Sequence, residues 1–172
     1  TEDHMIRPAL HAVALVVALV GGAAAEQLRV VGISDGDTFT AVDSANRKVK
    51  VRLHGIDAPE KGQPFGQAAR KSLADQIDGK TVEVTPVDRD QYGRTVACVT
   101  VGGREVNLEQ IARGMAWRYS RFDRANAYGP AEIAARARRA GLWADPSPTP
   151  PWEWRKSEKE RRAAKRAAGA AR

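Results

Sequence analysis

The sequence predicts an α+β domain: five short strands closing into a small β-barrel, with three helices inserted, two of them late in the chain. Three observations carry that prediction. Residues 48–54 alternate strictly, with Val49, Val51 and Leu53 on one side and Lys48, Lys50, Arg52 and His54 on the other, the period of a half-buried strand. Phe65, Ala69, Leu73 and Ile77 recur every four residues until Gly79, the period of a helix face. The remaining strand-like runs are short and separated by Gly, Asp, Asn and Ser clusters, as barrel strands joined by tight turns are.

The chain opens with a segment set apart from this domain. Residues 1–25 read as a tag remnant followed by a signal peptide. Thr1 to His4 precede Met5, Arg7 supplies a positive charge, and an unbroken apolar run follows over residues 12–20. Nine apolar residues reach half of the roughly 20 a membrane span needs. Gly21 and Gly22 end the run and Ala23, Ala24 and Ala25 form a small-residue cleavage site, so a mature chain from Glu26, secreted or periplasmic and without a membrane anchor, is expected.

Residues 26–145 form the expected domain. Leu28, Val30 and Gly32 alternate with Arg29, Val31 and Ile33 in the first strand, and Ser34, Asp35 and Gly36 turn the chain into a second strand at residues 39–42. A hairpin loop at 44–47 leads into the alternating strand already described, which ends at Gly55. The first helix is predicted with Pro64 in its first turn. Strands follow at 81–87 and 94–101, the second turned by Gly102 and Gly103. Asn107 with Gln110 resembles a capping box for a helix through Leu108, Ile111 and Met115. The last helix is predicted from Pro130 to Gly141 with Ile133 and Ala137 on its buried side.

Residues 146–172 read as a proline-rich linker and a basic tail. Pro146, Pro148, Pro150 and Pro151 close the domain, and a short helix capped by Ser157 and Glu160 is predicted beyond them. Lacking an apolar face, it should fray unless bound. The 172 residues carry a formal charge of +7, of which residues 155–172 hold +6 through eight Lys/Arg against two acids. A nearly neutral body with a cationic tail suits a polyanionic partner, and a solvated tail that only aids solubility accounts for the charge equally well. The single cysteine, Cys98, excludes an internal disulfide, and the three scattered histidines exclude a Cys/His zinc cage. His54 reads as a polar-face histidine, and the four tryptophans as late-helix packing.

Four segments carry potential chemistry: Asp35-Gly36-Asp37-Thr38, residues 52–60, residues 90–94, and Trp152-Glu153-Trp154-Arg155. Asp-Gly-Asp at a strand entrance is most often a simple turn. Together with Asp57, Ala58 and Glu60 it also offers the carboxylate and carbonyl oxygens a hard cation prefers. Arg52 and Arg94 supply two guanidinium forks, which match phosphate oxygens better than an ammonium does. Tyr92 either stacks on a base or fills its turn. Asp57 and Glu60 lie too close in sequence to flank a glycosidic bond from opposite faces.

In this order and spacing, Asp-Gly-Asp-Thr, Arg52 followed by Asp57-Ala58-Pro59-Glu60, Asp90-Gln91-Tyr92-Gly93-Arg94 and a helix opening at Val106-Asn107 resemble the thermonuclease (staphylococcal nuclease-like) family over residues 27–145. The resemblance implies a five-stranded OB-fold barrel with three helices. It implies calcium-dependent hydrolysis of DNA and RNA phosphodiesters, leaving 3′-phosphate ends; a monomer is the default expectation. Calcium ligands fall on Asp37, Asp57 and the Ala58 carbonyl, catalytic roles on Arg52, Glu60 and Arg94, and substrate contacts on Tyr92 and Tyr119. Two positions depart from the family's prototype: Ala58 replaces a threonine but keeps its carbonyl, and Gln91 replaces a lysine that contacts substrate phosphate. The competing reading is a secreted nucleic-acid-binding OB module without catalysis.

Overall fold

A computed structural model describes residues 25–170, so the expected signal segment lies outside the described residues. The strands are β1 (Glu26–Ile33), β2 (Thr38–Val42), β3 (Lys48–Leu53), β4 (Ile56–Asp57), β5 (Thr81–Arg89), β6 (Thr95–Val101), β7 (Arg104–Glu105) and β8 (Trp117–Arg118). The helices are α1 (Gly66–Ile77), α2 (Val106–Ala112), α3 (Gly129–Ala137) and α4 (Pro151–Ala170), with a 3₁₀ turn at Gly141–Ala144. Among the described residues, no helix is long and apolar enough to cross a membrane.

Strand order β3-β2-β1-β5-β6-β7, with β3 also pairing parallel to β6, closes five strands into the expected OB-type barrel. Closure leaves no long strand edge unpaired among the described residues. Leu28, Val30, Phe39, Val51, Leu53, Val82, Val84 and Val99 form one continuous core with Leu73 and Ile77 of α1 and Ile111 of α2. The alternation in β1 breaks at a bulge: Val30 pairs with Ala41 and Gly32 with Thr40, so Ile33 turns inward and Val31 outward.

Several details depart from the sequence expectation. Helix α1 starts at Gly66, after Phe65 in a left-handed conformation (φ 66°), because residues 60–66 form consecutive tight turns instead of a helical first turn. Pro64 belongs to those turns. Asn107 and Gln110 form no capping box. Both side chains are buried, since α2 begins one residue earlier and turns them toward strand and helix backbone in need of partners. Asn107 accepts from Val99 N (3.1 Å) and donates to the His54 and Ala97 carbonyls (3.0 and 3.1 Å). Gln110 donates to the Gly36 and Ala69 carbonyls (2.7 and 3.2 Å) and accepts from Ser72 and Gln76 of α1 (2.7 and 2.9 Å). In α3 the buried residues are Gly129 and Ala135, and both Ile133 and Ala137 are exposed, because the helix packs through its other side.

A fourth helix replaces the predicted short one. α4 begins at Pro151, six residues before Ser157, with a proline suited to its first turn. Its first turn docks through aromatic side chains outside the segment predicted to be helical. Trp152 meets Trp117 edge-on (5.7 Å) and stacks flat on Tyr119 (5.6 Å, 8°). Trp117, Leu142, Trp143 and Ala135 form a second small core beside it, with Arg136 over the Trp143 ring at 3.9 Å. Gln63 ties the preceding linker down by donating to the Thr149 carbonyl (2.6 Å). The remainder of α4 runs out as an exposed basic helix.

Candidate active site

The β1–β2 turn delivers the first carboxylate. Ser34 N and Asp35 N both donate to the Thr38 carbonyl (2.9 and 3.3 Å), and Asp35 accepts from Asp37 N (3.1 Å). Gly36 permits close packing: a β-carbon there would stand 2.7 Å from that of Ala58 and 2.6 Å from that of Ala69. Leu53 N donates to the Asp37 carbonyl (2.9 Å), fixing the turn to the end of β3. Asp37 is thus buried beside the last residues of that strand.

Arg52 lies opposite Thr38 in the β2–β3 register, on the polar face predicted from the alternation. Its guanidinium spans two carboxylates: Nη1 donates to Asp37 (2.6 Å) and Nη2 to Asp57 (3.0 Å). Burial alone would lower its proton affinity, but Asp37 and Asp57 outweigh burial and hold it charged, above the usual guanidinium value. Asp57 sits on β4, paired to Trp117 of β8, and is almost wholly buried. Asp37 also accepts from Thr38 Oγ1 (2.9 Å) and Ala58 N (2.8 Å). Burial, then repulsion from Asp37, pushes the nearby Asp35 carboxyl up to about 6.

Glu60 opens the tight-turn segment and keeps its side chain partly exposed. Gln63 accepts from its amide (3.1 Å) and donates its own backbone N–H to the Glu60 carbonyl (2.8 Å). The same carbonyl would stand 2.0 Å from any β-carbon at residue 66, which makes glycine obligatory there. Sequence reasoning missed Arg155 of α4. Its guanidinium donates to both oxygens of Asp57 (3.2 and 2.8 Å) and to Glu60 Oε1 (2.8 Å). Those bonds to Asp57, against an opposing burial cost, hold Arg155 charged. The only sequence signal was the arginine closing Trp-Glu-Trp-Arg.

The structure therefore brings Asp37, Arg52, Asp57, Ala58 and Glu60 together. Arg94 and Tyr92 stand apart from this bonded cluster. Arg94 precedes β6, whose Thr95 and Val96 pair with Val51 and Arg52, so its backbone neighbours the strand that carries Arg52. Its Nε donates to Asp90 (2.6 Å) in place of the expected convergence on the acidic cluster. The reason is local: Asp90 caps the turn amides of Tyr92 and Arg94 and presents its other oxygen to the guanidinium. Burial opposes and these bonds prevail, holding the Asp90 carboxyl below its usual range. The two Nη groups of Arg94 make no hydrogen bond among the described residues. Tyr92 is exposed with Arg94 over its ring at 5.4 Å. One face of Tyr119 is taken by Trp152, and Phe122 meets it edge-on (5.0 Å).

The buried carboxylates Asp37 and Asp57 offer oxygen donors of the chemistry a hard cation such as Ca²⁺ takes, and not those of a thiophilic metal; each of their four oxygens accepts a hydrogen bond here, from Arg52, Arg155, Thr38 or Ala58 N. Among the described residues, no three acidic, His or Cys side chains form a closed cage.

Residues 50–145 match the family model described as staphylococcal nuclease homologue. An uncharacterized endonuclease of Haemophilus influenzae is 45% identical over 131 residues, covering 76% of this chain and 74% of that protein. Protein ParB of Escherichia coli is 42% identical over 166 residues, covering 88% of this chain and 92% of that protein. A micrococcal nuclease of Shigella flexneri is 40% identical over 167 residues, covering 88% and 94%. With the barrel, the ordered motifs and these matches in agreement, the chain belongs to the family of staphylococcal nuclease homologues.

Proposed function

We propose that this chain is a calcium-dependent nuclease that hydrolyses phosphodiester bonds of DNA and RNA and leaves 3′-phosphate ends, acting as a secreted or periplasmic monomer. Membership of a nuclease family supports the hydrolysis of nucleic acid. The observation that carries the reading is Arg52 spanning the buried pair Asp37 and Asp57, with the partly exposed Glu60 joined to the same cluster through Arg155. Such a site concentrates charged donors and acceptors, and around the buried Asp37 and Asp57 they are worth more than in water.

Glu60 is the candidate general base. Its Oε1 is held by Arg155, and Oε2 makes no hydrogen bond among the described residues, which leaves it to accept a proton from an attacking water. Arg52 donates to a non-bridging phosphate oxygen as negative charge grows there. Arg94 supplies the second fork through its Nη groups while Asp90 orients its Nε. Asp37, Asp57 and the Ala58 carbonyl are the residues that would hold calcium, whose contribution is Lewis-acid stabilisation of phosphate charge. Tyr92 offers an exposed ring to a base.

The test is incubation of residues 26–172 with single-stranded DNA and RNA, calcium present or chelated by EGTA, and end-group analysis of products. Shortening that needs calcium and yields 3′-phosphates is expected. Full activity in EGTA would overturn the metal assignment. Retarded but uncut strands in a gel would make the chain a binding module.

A further inference from the structure

Beside Glu60 lies a groove of about 420 Å³ between the turn at residues 60–62 and the outer face of α4. That volume falls within the range of small-ligand sites and admits a nucleotide. Its walls carry Lys61 from the turn and Arg155, Arg161 and Arg162 from the helix, opposed by Glu158 alone besides Glu60 itself. Trp154, Glu158, Arg161 and Arg162 project to one side of the helix because residues three and four apart share a face. Arg161 is paired with Glu158, whereas Lys61 and Arg162 have no carboxylate partner among the described residues. The groove is cationic, lined on one side by an indole, and closed at one end by Glu60.

The helix that forms this wall is fixed in position. Trp152 stacks on Tyr119, and Arg155 bonds both Asp57 and Glu60, so the first turn of α4 is registered to the acidic cluster. The groove therefore has a defined position relative to Glu60, and a strand lying in it would run past the scissile position. A solvated tail would need no such registration.

We propose that this groove is a second phosphate subsite, in which Lys61, Arg161 and Arg162 hold the backbone of the same nucleic-acid strand beyond the phosphate that is cut. The inference rests on the nuclease reading above. The ligand class is a single-stranded polynucleotide, because a charged groove flanked by an aromatic ring suits phosphates and bases in succession. An anionic membrane would meet the convex end of the helix, not a concavity that closes on Glu60. The subsite makes the enzyme prefer internal cleavage of strands long enough to fill both places.

The experiment compares a dinucleotide with a 12-nucleotide single strand in full-length protein. Wild type should show a much higher kcat/KM on the longer strand. In the Arg161→Ala/Arg162→Ala double variant that ratio should fall on the order of 10²-fold, the loss of two charge-assisted contacts. The slope of log Kd against log salt should flatten by about 1.4 for two lost phosphate contacts. Both side chains are exposed, so folding is not at stake. Arg166→Ala removes one positive charge from the same helix outside the groove and should change neither quantity. An unchanged ratio and slope in the double variant overturn the subsite. An equal effect from Arg166→Ala also overturns it, since general tail charge would then account for binding. If wild type neither binds nor cuts either strand, the nuclease reading itself fails; if wild type cuts and the double variant matches it in ratio and slope, the subsite alone fails.

Discussion

Arg155 donates to Glu60 across 2.8 Å although the two residues stand 95 positions apart. The same guanidinium grips the buried Asp57, so one residue of the last helix bridges the candidate base and a candidate metal ligand. The end of the chain is thereby part of the site and not an appendage to the barrel.

Arg155→Ala should undock the start of α4. The side chain is 42% exposed, so solvent weakens the ion pairs and the stability loss should be about 1 kcal/mol. Amide exchange in residues 151–158 should accelerate by a larger factor than exchange in β1 or β6, because only the helix loses a tether, Trp152 alone then holding its first turn. Arg155→Lys should restore part of the docking. Equal acceleration throughout the protein would show that Arg155 supports the fold as a whole.

Arg52 separates charge from geometry. Arg52→Lys keeps the positive charge between Asp37 and Asp57 but cannot span both as a fork. We expect a folded protein with kcat lowered on the order of 10²-fold, the scale of a lost oxyanion donor. Wild-type turnover by the lysine variant in a strand-cleavage assay would remove Arg52 from its role at phosphate.

Most of this site was legible in the sequence because each piece is set by local structure. Arg52 falls on the polar face of an alternating strand, Asp37 follows the turn glycine Gly36, and Asp57 sits on a two-residue strand between Gly55 and Pro59. The barrel followed from strand period and turn residues for the same reason. What escaped depends on tertiary contact. Asn107 and Gln110 look like a capping pair at helical spacing, yet they crosslink strands and helices, because buried carbonyls and amides need partners that periodicity does not reveal. The predicted tail helix lacked an apolar face because its anchor, Trp152, lies ahead of it, and the surface that receives Trp152 exists only once Trp117 and Tyr119 have folded into place. Arg94 pointed correctly to the neighbouring strand, but its carboxylate partner came from its own turn.

The pairing of Arg94 with Asp90 can be tested as an orienting contact. Arg94→Ala should lower kcat on the order of 10²-fold. Asp90→Asn retains an oxygen to cap the turn amides while removing the charge that holds Nε. If the Nη groups act on phosphate, this variant should keep activity within several-fold of wild type. A loss from Asp90→Asn as deep as that from Arg94→Ala would place the essential function in the ion pair itself.

Gln110→Leu should destabilise without touching the acidic cluster. The amide joins Gly36 of the β1–β2 turn to Ser72 and Gln76 of α1, and all of its bonds are buried. Leaving those partners unsatisfied should cost about 3 kcal/mol, measured by urea unfolding. A cost under about 0.5 kcal/mol would mean that water or rearrangement replaces the amide.

Asp123 gives a prediction in pH. It accepts from Arg118 Nε (2.7 Å) and from the amides of Ala127 and Tyr128 (2.8 and 3.1 Å), holding β8 where it pairs with the strand that carries Asp57. Burial would raise its carboxyl, but the Arg118 bond and the two amides prevail and hold it below its usual range. A carboxyl depressed on folding binds fewer protons than in the unfolded chain, whose value is about 3.9. Its stabilisation is therefore complete above that value and disappears as pH falls through the lower, folded value. Asp123→Asn replaces an acceptor with an amide facing Arg118 and should cost about 3 kcal/mol at pH 7, as breaking a buried pair does. In unfolding titrations run from pH 7 downward, the gap between wild type and variant should begin to narrow near pH 4 and continue closing below it. A gap that stays constant across the whole range would show that the loss comes from packing and not from the charge on Asp123.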